Sequence, residues 1–238
     1  MKIVSPFRPF APEKSSHRLM EGFDWEYALR MLDYSARTAT GVGIHVLTDR
    51  GFTTSLPTYR YRTESTRLML WILEVTLLFL TSADFDEDTV FVSPDMLILR
   101  PLDVWFGDYD LGLLYRDQKP FSIRPILNGV QFFRPRHKER LVEFYGYVLR
   151  LARTMPEKYI HWGADTKPFV WLLEPCQLGP VQRWGITTEF LPAGRILRFL
   201  GKNWEYKDVS KRPFVMDFKS IRKSLMERYF IALFGDVL

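Results

Sequence analysis

Two carboxylates far apart in the chain follow short apolar segments of the kind that form buried β-strands. Asp95 comes after Thr89-Val-Phe-Val-Ser-Pro, and Asp217 comes after Pro213-Phe-Val-Met. In an open α/β sheet, ligands bind in the crevice at the carboxyl ends of the strands. Hard divalent cations such as Mg²⁺ accept carboxylate oxygens readily, so metal binding is the chemistry that this pair suggests.

Strand-like and helix-like segments alternate along the chain and would position these carboxylates. A helical spacing of apolar residues runs from Trp25 to Ala36 and is closed by Gly41. Thr63 is the predicted N-cap of a second helix. We predict strands at residues 2–5, 44–49, 89–92, 111–115, 130–133, 189–191 and 214–216, and helices that end near residues 41, 80, 151 and 234. This alternation predicts a three-layer α/β fold.

The composition is typical of one globular domain. The chain has 238 residues, of which 47% are hydrophobic and 26% charged, so it can build a substantial single core. Lys and Arg number 33 against 28 acidic residues, which gives a net charge of +5. This excess weakly favours a polyanionic partner, and a basic surface that keeps the protein in solution explains it equally well.

The sequence also bears on compartment and membrane association. Cys176 is the only cysteine, which excludes an internal disulfide and favours a reducing, cytoplasmic setting. The first residues look like a strand and lack the long apolar region of a signal peptide. Residues 68–80 are the most apolar stretch, but they are too short to cross a bilayer. We therefore predict a buried helix there and no transmembrane segment.

Two short motifs lie in the first half and centre of the chain. The segment Phe91-Val-Ser-Pro-Asp95 looks like an Asp-x-Asp motif in which Ser93 replaces the first aspartate. Asn128-Gly129 follows it and is similar to an Asn-Gly segment.

Two further motifs lie in the second half. His161-Trp-Gly-Ala-Asp165 is similar to a Gly-Asp loop with one inserted residue. Asp217-Phe-Lys-Ser-Ile-Arg-Lys223 is similar to a His-x-x-Gly-x-x-Lys element, with Asp217 in place of the histidine and Ser220 in place of the glycine. In this order, the four motifs resemble those of nucleotide-sugar-dependent glycosyltransferases of the GT-A fold.

The resemblance implies a fold, a reaction and a metal site. It implies a single GT-A-like α/β/α domain with a mixed central sheet, in which residues 1–115 bind the donor and residues 116–238 form the acceptor side. The reaction would move a sugar from a nucleoside diphosphate sugar to an acceptor hydroxyl. A Mg²⁺ or Mn²⁺ ion held by Asp95 and Asp217 would stabilise the charge on the leaving diphosphate, and Lys223 with Arg222 would add fixed positive charge.

The resemblance also implies roles for residues elsewhere in the chain. Asn128 would face the donor sugar and the acceptor. Asp165 would orient or deprotonate the acceptor, or contact the donor sugar. The residues expected to bind the donor nucleotide are Ser5, Phe7, Arg8, Asp49, Arg67, Ser93, Asp95 and Arg222.

Other residues with potentially reactive side chains are not assigned to a site. Asp84-Phe-Asp86 and Asp86-Glu-Asp88 are literal Asp-x-Asp matches, but they precede the strand, where an acidic cluster is usually a solvated turn. The four histidines show no metal-ligand spacing, and Cys176 has no neighbouring base in sequence. P-loop, dinucleotide-binding and hydrolase motifs do not occur in the sequence.

Two other functions stay open at the level of sequence. One is a divergent enzyme of this fold that modifies DNA bases, which would suit a basic chain without a membrane segment. Its best candidate contact residues are Arg195, Arg198, Lys202 and Trp204. The other is a nucleotide-sugar-binding module without turnover, which would explain the absence of a carboxylate at Ser93.

Overall fold

The structure is a computed structural model that describes residues 1–9, 23–49, 51–116, 125–156, 165–175, 177–200, 212–218 and 220–238. Of residues 220–222 it describes the backbone. An eight-stranded mixed sheet carries helices on both faces, and a three-stranded sheet packs against one of these faces. The predicted three-layer α/β architecture with a mixed central sheet is confirmed.

The central sheet has a parallel half and a mixed half. Its strands, in spatial order, are β3 (Thr58–Arg60), β2 (Ile44–Thr48), β1 (Lys2–Pro6), β4 (Thr89–Val92), β7 (Ile126–Phe133), β6 (Leu111–Tyr115), β9 (Ile186–Pro192) and β8 (Gly179–Arg183). The first four strands are parallel. Strand β7 is antiparallel to both β4 and β6, β6 is parallel to β9, and β8 is antiparallel to β9. The carboxyl ends of β1, β2 and β4 therefore meet at one edge.

A smaller sheet receives the chain directly after this edge. It consists of β5 (Met96–Ile98), β10 (Leu197–Phe199) and β11 (Val215–Asp217), with β11 in the centre. Asp217 pairs with Met96, and the N–H of Phe218 donates to the carbonyl oxygen of Asp95 over 3.0 Å. The pairing of β5 with β11 thus brings the two segments that carry Asp95 and Asp217 side by side.

Six helices and three 3₁₀ segments complete the described part of the fold. The helices are α1 (Trp25–Thr40), α2 (Leu68–Thr81), α3 (Lys138–Arg153), α4 (Lys167–Leu173), α5 (Ala193–Ile196) and α6 (Met226–Phe234), and the 3₁₀ segments are Asp103–Trp105, Pro135–His137 and Ser220–Leu225. Alternate side chains of a strand point to opposite faces. Val4 accordingly packs under α2, α3 and α4, whereas Ile3 packs under α1 and the small sheet.

Helix α1 begins and ends where its sequence provides caps. The carboxylate of Asp24 accepts the N–H of Tyr27 over 3.0 Å, as an N-cap residue does. Gly41 closes the helix with φ 76°, a left-handed conformation that glycine adopts without a Cβ penalty. The predicted end of this helix is confirmed.

Helix α2 is the buried apolar helix that the sequence predicts, but its cap is not the predicted one. The helix begins at Leu68, and its N-cap residue Arg67 makes no side-chain cap hydrogen bond. The prediction that Thr63 caps the helix is wrong, because residues 61–66 are irregular and the helix begins only after Arg67. Among the described residues, no helix is both long and apolar enough to cross a bilayer.

Several elements differ from the sequence-based expectation. The strands β3, β8 and β10 were not predicted, and β5 belongs to the small sheet and not to the central one. The last predicted helix starts as a 3₁₀ segment, Ser220–Leu225, before α6. This 3₁₀ segment carries Lys223 toward the edge where β4 ends.

Candidate functional site

The centre of the candidate site is an ion pair between the loop after β4 and the segment after β11. The ammonium of Lys223 contacts Oδ2 of Asp95. The two side chains are only 9% and 14% exposed. Charges that are partly withdrawn from water interact more strongly than a surface pair does. The structure therefore brings together two predicted site residues that are 128 residues apart in the chain.

An aromatic cluster, formed by Phe7, Trp25 and Phe52, adjoins this ion pair. The Nζ atom of Lys223 lies 5.3 Å from the centroid of the Trp25 ring, within the range of a cation–π contact. The Trp25 ring lies 5.3 Å from that of Phe7, and the Phe7 ring lies 4.9 Å from that of Phe52. The cluster thus connects the end of β1, the start of α1 and the loop after β2 to the charged pair.

Sequence reasoning missed Trp25 and Phe52 as site residues. The helical spacing predicts Trp25 only as the first core position of α1, and no motif includes Phe52. The available signal was positional, because a helix that follows a strand in an α/β unit starts near the carboxyl end of that strand. Trp25 is the first residue of the helix that follows β1.

Arg8, directly beyond β1, is fixed by several contacts. Its guanidinium donates to Oδ2 of Asp49 over 2.9 Å and to the carbonyl oxygen of Ser65 over 2.6 Å. The guanidinium carbon lies 5.1 Å from the centroid of the Trp71 ring. The predicted donor-binding residues Arg8 and Asp49 are therefore in direct contact, at the ends of neighbouring parallel strands.

An open cleft of about 320 Å³ lies next to this contact. Its walls are formed by Asp49, Gly51, Tyr61, Arg62 and Thr63. Arg8 also reaches the hydroxyl of Thr63 over 3.4 Å. The guanidinium of Arg8 therefore bridges two residues of the cleft wall, Asp49 and Thr63.

The buried carboxylate of Glu74 supports the loop that holds Arg8. Its two oxygens accept the N–H groups of Glu64 and Ser65 over 2.9 and 2.8 Å. Burial acts to raise the pKa of this carboxyl, but hydrogen bonds from the Ser65 hydroxyl and from the two backbone amides outweigh it, so the pKa lies below its ordinary value. Glu74 thus fixes the loop before α2 and positions the Ser65 carbonyl that Arg8 binds.

The Asn128-Gly129 segment lies beside Ser93. The N–H of Ser93 donates to the carbonyl oxygen of Gly129 over 2.8 Å. The side-chain nitrogen and oxygen of Asn128 are inaccessible to water and have no hydrogen-bond partner among the described residues. The hydrogen-bonding capacity of this side-chain amide is therefore unused within the described structure.

The other predicted site residues belong to β1 and to the segments that precede α2 and α4. Ser5 lies inside β1 without exposed surface. Arg67 precedes α2, one turn before Trp71, whose ring lies against Arg8. Asp165 precedes α4 and accepts a 3.3 Å hydrogen bond from the Thr166 hydroxyl.

Some predictions concern residues that the structure does not describe. His161, Lys202, Trp204 and the side chain of Arg222 lie outside the described residues. Arg195 and Arg198, which belong to the predicted nucleic-acid contact, are exposed on α5 and β10.

The residues around Asp95 do not fit a divalent metal ion well. Ser93 brings no carboxylate, and the ammonium of Lys223 occupies Oδ2 of Asp95. Asp217 is 1% exposed. Within the described ranges no group of three His, Cys, Asp or Glu side chains is arranged to hold a metal. A cation that takes six or more oxygen ligands would find few of them here.

The literal Asp-x-Asp matches lie at the other end of the sheet. The N–H of Lys2 donates to the carbonyl oxygen of Asp88 over 2.8 Å, and the Lys2 ammonium contacts Asp86. Lys2 pairs with Thr89, so both residues stand at the amino ends of their parallel strands. These acids are therefore separated from Asp95 by the length of β4.

Comparison with known proteins supports the fold assignment. No family profile and no curated protein sequence matches the chain. The structure is similar to that of galactosyltransferase LgtC, with a TM-score of 0.56 and 13% identity over 98% of this chain and 95% of that one. It is also similar to a glycosyltransferase involved in glycosylation of the major capsid of PBCV-1, with a TM-score of 0.53 and 12% identity over 96% of this chain and 98% of that one.

A third similar structure has a different assigned activity. It is a Bacillus anthracis protein assigned as a glucose-1-phosphate thymidylyltransferase, with a TM-score of 0.51 and 9% identity over 100% of this chain and 96% of that one. At such identities the likeness shows the fold, which is GT-A-like. The choice of reaction must therefore come from the site.

Proposed function

We propose that this protein is a glycosyltransferase that moves a sugar from a nucleoside diphosphate sugar to an acceptor hydroxyl. The observation that carries the proposal is the Asp95–Lys223 ion pair, which lies where β4 ends and beside the aromatic cluster. A nucleoside diphosphate has an aromatic base and two negatively charged phosphates. Aromatic side chains can stack on the base, and an ammonium can hydrogen-bond the phosphates.

Different residues around the ion pair bind different parts of the donor. The nucleoside lies against Phe7 and Arg8 at the end of β1, and the diphosphate lies toward Lys223. The amide of Asn128, which has no protein partner in the described structure, faces the donor sugar. Asp165 orients or deprotonates the acceptor hydroxyl. The similarity in fold to glycosyltransferases supports the class of reaction.

Thermal-shift binding tests the proposal. The melting temperature of the wild-type protein is measured with a panel of nucleoside diphosphates and their sugars. A ligand that binds the native state raises the melting temperature, because at 100 times its Kd it stabilises that state by about 2.7 kcal/mol. We expect one sugar nucleotide to raise it and Asp95→Asn to abolish the rise. Asp103→Asn is the matched control, because Asp103 is an exposed carboxylate on a 3₁₀ segment.

The products then distinguish the reactions that the fold permits. Release of nucleoside diphosphate and transfer of the sugar to a hydroxyl acceptor are the expected result. Release of pyrophosphate would instead assign nucleotidyl transfer. Tight binding without turnover would assign a binding module, and transfer only to an oligonucleotide would assign DNA modification.

A further inference from the structure

The Asp95–Lys223 ion pair occupies the position where the GT-A resemblance implies a divalent metal. We infer that the protein binds and activates its donor without a metal ion, and that the ammonium of Lys223 takes the metal's place on the diphosphate. The inference rests on the proposed function, because it concerns how the donor of that reaction is held.

The charges around Asp95 support the replacement. A divalent cation on two carboxylates is neutral overall. Ser93 contributes no charge, and one ammonium on the single carboxylate of Asp95 is also neutral. The Asp95–Lys223 pair is therefore neutral by itself, without a second carboxylate at position 93.

The ammonium is also held in place for a ligand. Its three N–H donors cannot all be used by one carboxylate oxygen, and the ring of Trp25 supports it at 5.3 Å. The segment that carries Lys223 follows β11, and the Phe218 N–H ties that strand to the backbone of Asp95 over 3.0 Å. Lys223 can thus keep its contact with Asp95 while it donates to a phosphate oxygen.

A metal at this position would have to displace Lys223 from Asp95. The displaced ammonium of Lys223, whose side chain is 9% exposed, would lose its partner in a site largely withdrawn from water. Removing one partner of such a pair is strongly unfavourable. The intact ion pair is therefore the more stable way to place a positive charge beside Asp95.

The bonds and the proton of the group transfer are all accounted for with Lys223 as the cation. The bond between the anomeric carbon and the diphosphate oxygen breaks, and its electron pair stays on the diphosphate. A bond forms between the anomeric carbon and the acceptor oxygen, and the acceptor proton passes to a carboxylate base, for which Asp165 is the predicted residue, and then to water. The Lys223 ammonium hydrogen-bonds the leaving diphosphate and stabilises the charge that develops on it.

Calorimetry of the wild-type protein with its donor sugar nucleotide is the direct test. The protein is stripped of metals and titrated in chelator and in Mn²⁺, while binding of Mn²⁺ alone is followed by electron paramagnetic resonance. We expect the same donor Kd in both buffers and no protein-bound Mn²⁺. Loss of donor binding in chelator, or a Mn²⁺ signal from the protein, would overturn the inference.

Variants of Lys223 test the role of its charge. Lys223→Met should weaken donor binding by about 10- to 150-fold, the factor that corresponds to a hydrogen bond with a charged group. Lys223→Arg should keep most of the affinity. Lys2→Met is the matched control, since it removes a lysine that contacts Asp86 at the opposite end of the sheet. Unchanged donor affinity in Lys223→Met would contradict the inference.

Two double variants complete the design. Asp95→Asn combined with Lys223→Met removes both charges, so the protein folds without an unpaired carboxylate and the loss of donor binding can be measured. Ser93→Asp combined with Lys223→Met should create Mn²⁺-dependent donor binding. If no sugar nucleotide binds the wild type in either buffer, the proposed function fails. If one binds only with Mn²⁺, the proposed function stands and the metal-free inference alone fails.

Discussion

The ammonium of Lys223 lies 5.3 Å from the ring centroid of Trp25, although the two residues come from the last and the first thirds of the chain. The contact joins the ion pair to the aromatic cluster, because Trp25 also contacts Phe7. One indole ring therefore supports both the cation proposed to bind the diphosphate and the side chain proposed to bind the nucleoside.

Trp25→Leu should weaken donor binding while the protein stays folded. A cation–π contact contributes about 0.5–2 kcal/mol, so we expect the donor Kd to rise by about 2- to 30-fold. Calorimetry of the variant measures this. Trp184→Leu is the control, because Trp184 is an exposed indole at the turn between β8 and β9. Equal donor affinities for Trp25→Leu and wild type would contradict the prediction.

Glu74→Gln should destabilise the protein and weaken the contact between Arg8 and the Ser65 carbonyl. An amide nitrogen cannot accept the second backbone N–H, so one buried donor loses its partner at a cost of about 1–3 kcal/mol. Urea denaturation measures the free energy of unfolding, and Glu143→Gln, at an exposed position on α3, serves as control.

Because the pKa of Glu74 is lowered in the folded state, the contribution of this carboxylate to stability is present above the ordinary carboxyl pKa. The difference between wild type and variant should therefore shrink as the pH falls below that value.

His45 should make stability depend on pH in the neutral range. Burial, followed by the charges of Lys2 and Arg37, lowers the pKa of its imidazole below 6.5, and the ring is stacked on Tyr59 at 4.8 Å. A lowered pKa disfavours the protonated ring in the folded state, so stability is lost as the pH falls below 6.5, by at most about 1.4 kcal/mol per pH unit.

His45→Phe isolates this effect, because it keeps a ring on Tyr59 and removes the titration. Unfolding free energies measured from pH 8 to pH 5 should fall more steeply for the wild type than for the variant. Parallel curves would show that His45 does not titrate differently in the folded and unfolded states.

Gly129→Ala should destabilise the site region. A Cβ at this position would collide with Cε of Met96, a buried side chain, and would lie 3.4 Å from the Ser93 hydroxyl. Overpacking of this kind costs about 1–3 kcal/mol, which urea denaturation would detect. Gly194→Ala is the control, since a Cβ there meets nothing within 4 Å. A stability for Gly129→Ala equal to that of the control would show that Met96 moves aside freely.

The regular elements with a strong local pattern were predictable from sequence. The strand before Ser93, the helix that Gly41 closes and the buried helix over residues 68–80 all follow from hydrophobic periodicity and cap residues. Strands β3 and β10 span three residues each, which is too short for a periodic signal. Thr63 is not the cap because α2 begins only at Leu68, and the carboxylate of Glu74 accepts the loop amides of Glu64 and Ser65 before it.

The sequence by itself determined the alternation of strands and helices, and with it the position of Asp95 at the end of β4, because both depend on residues close together in the chain. It also determined that Ser93 brings no carboxylate to that position. Only the tertiary structure decided that Lys223 is the partner of Asp95, since that contact depends on the pairing of β5 with β11 and spans 128 residues. Long-range strand pairing is selected by the packing of the whole chain and leaves no local pattern that sequence spacing can reveal.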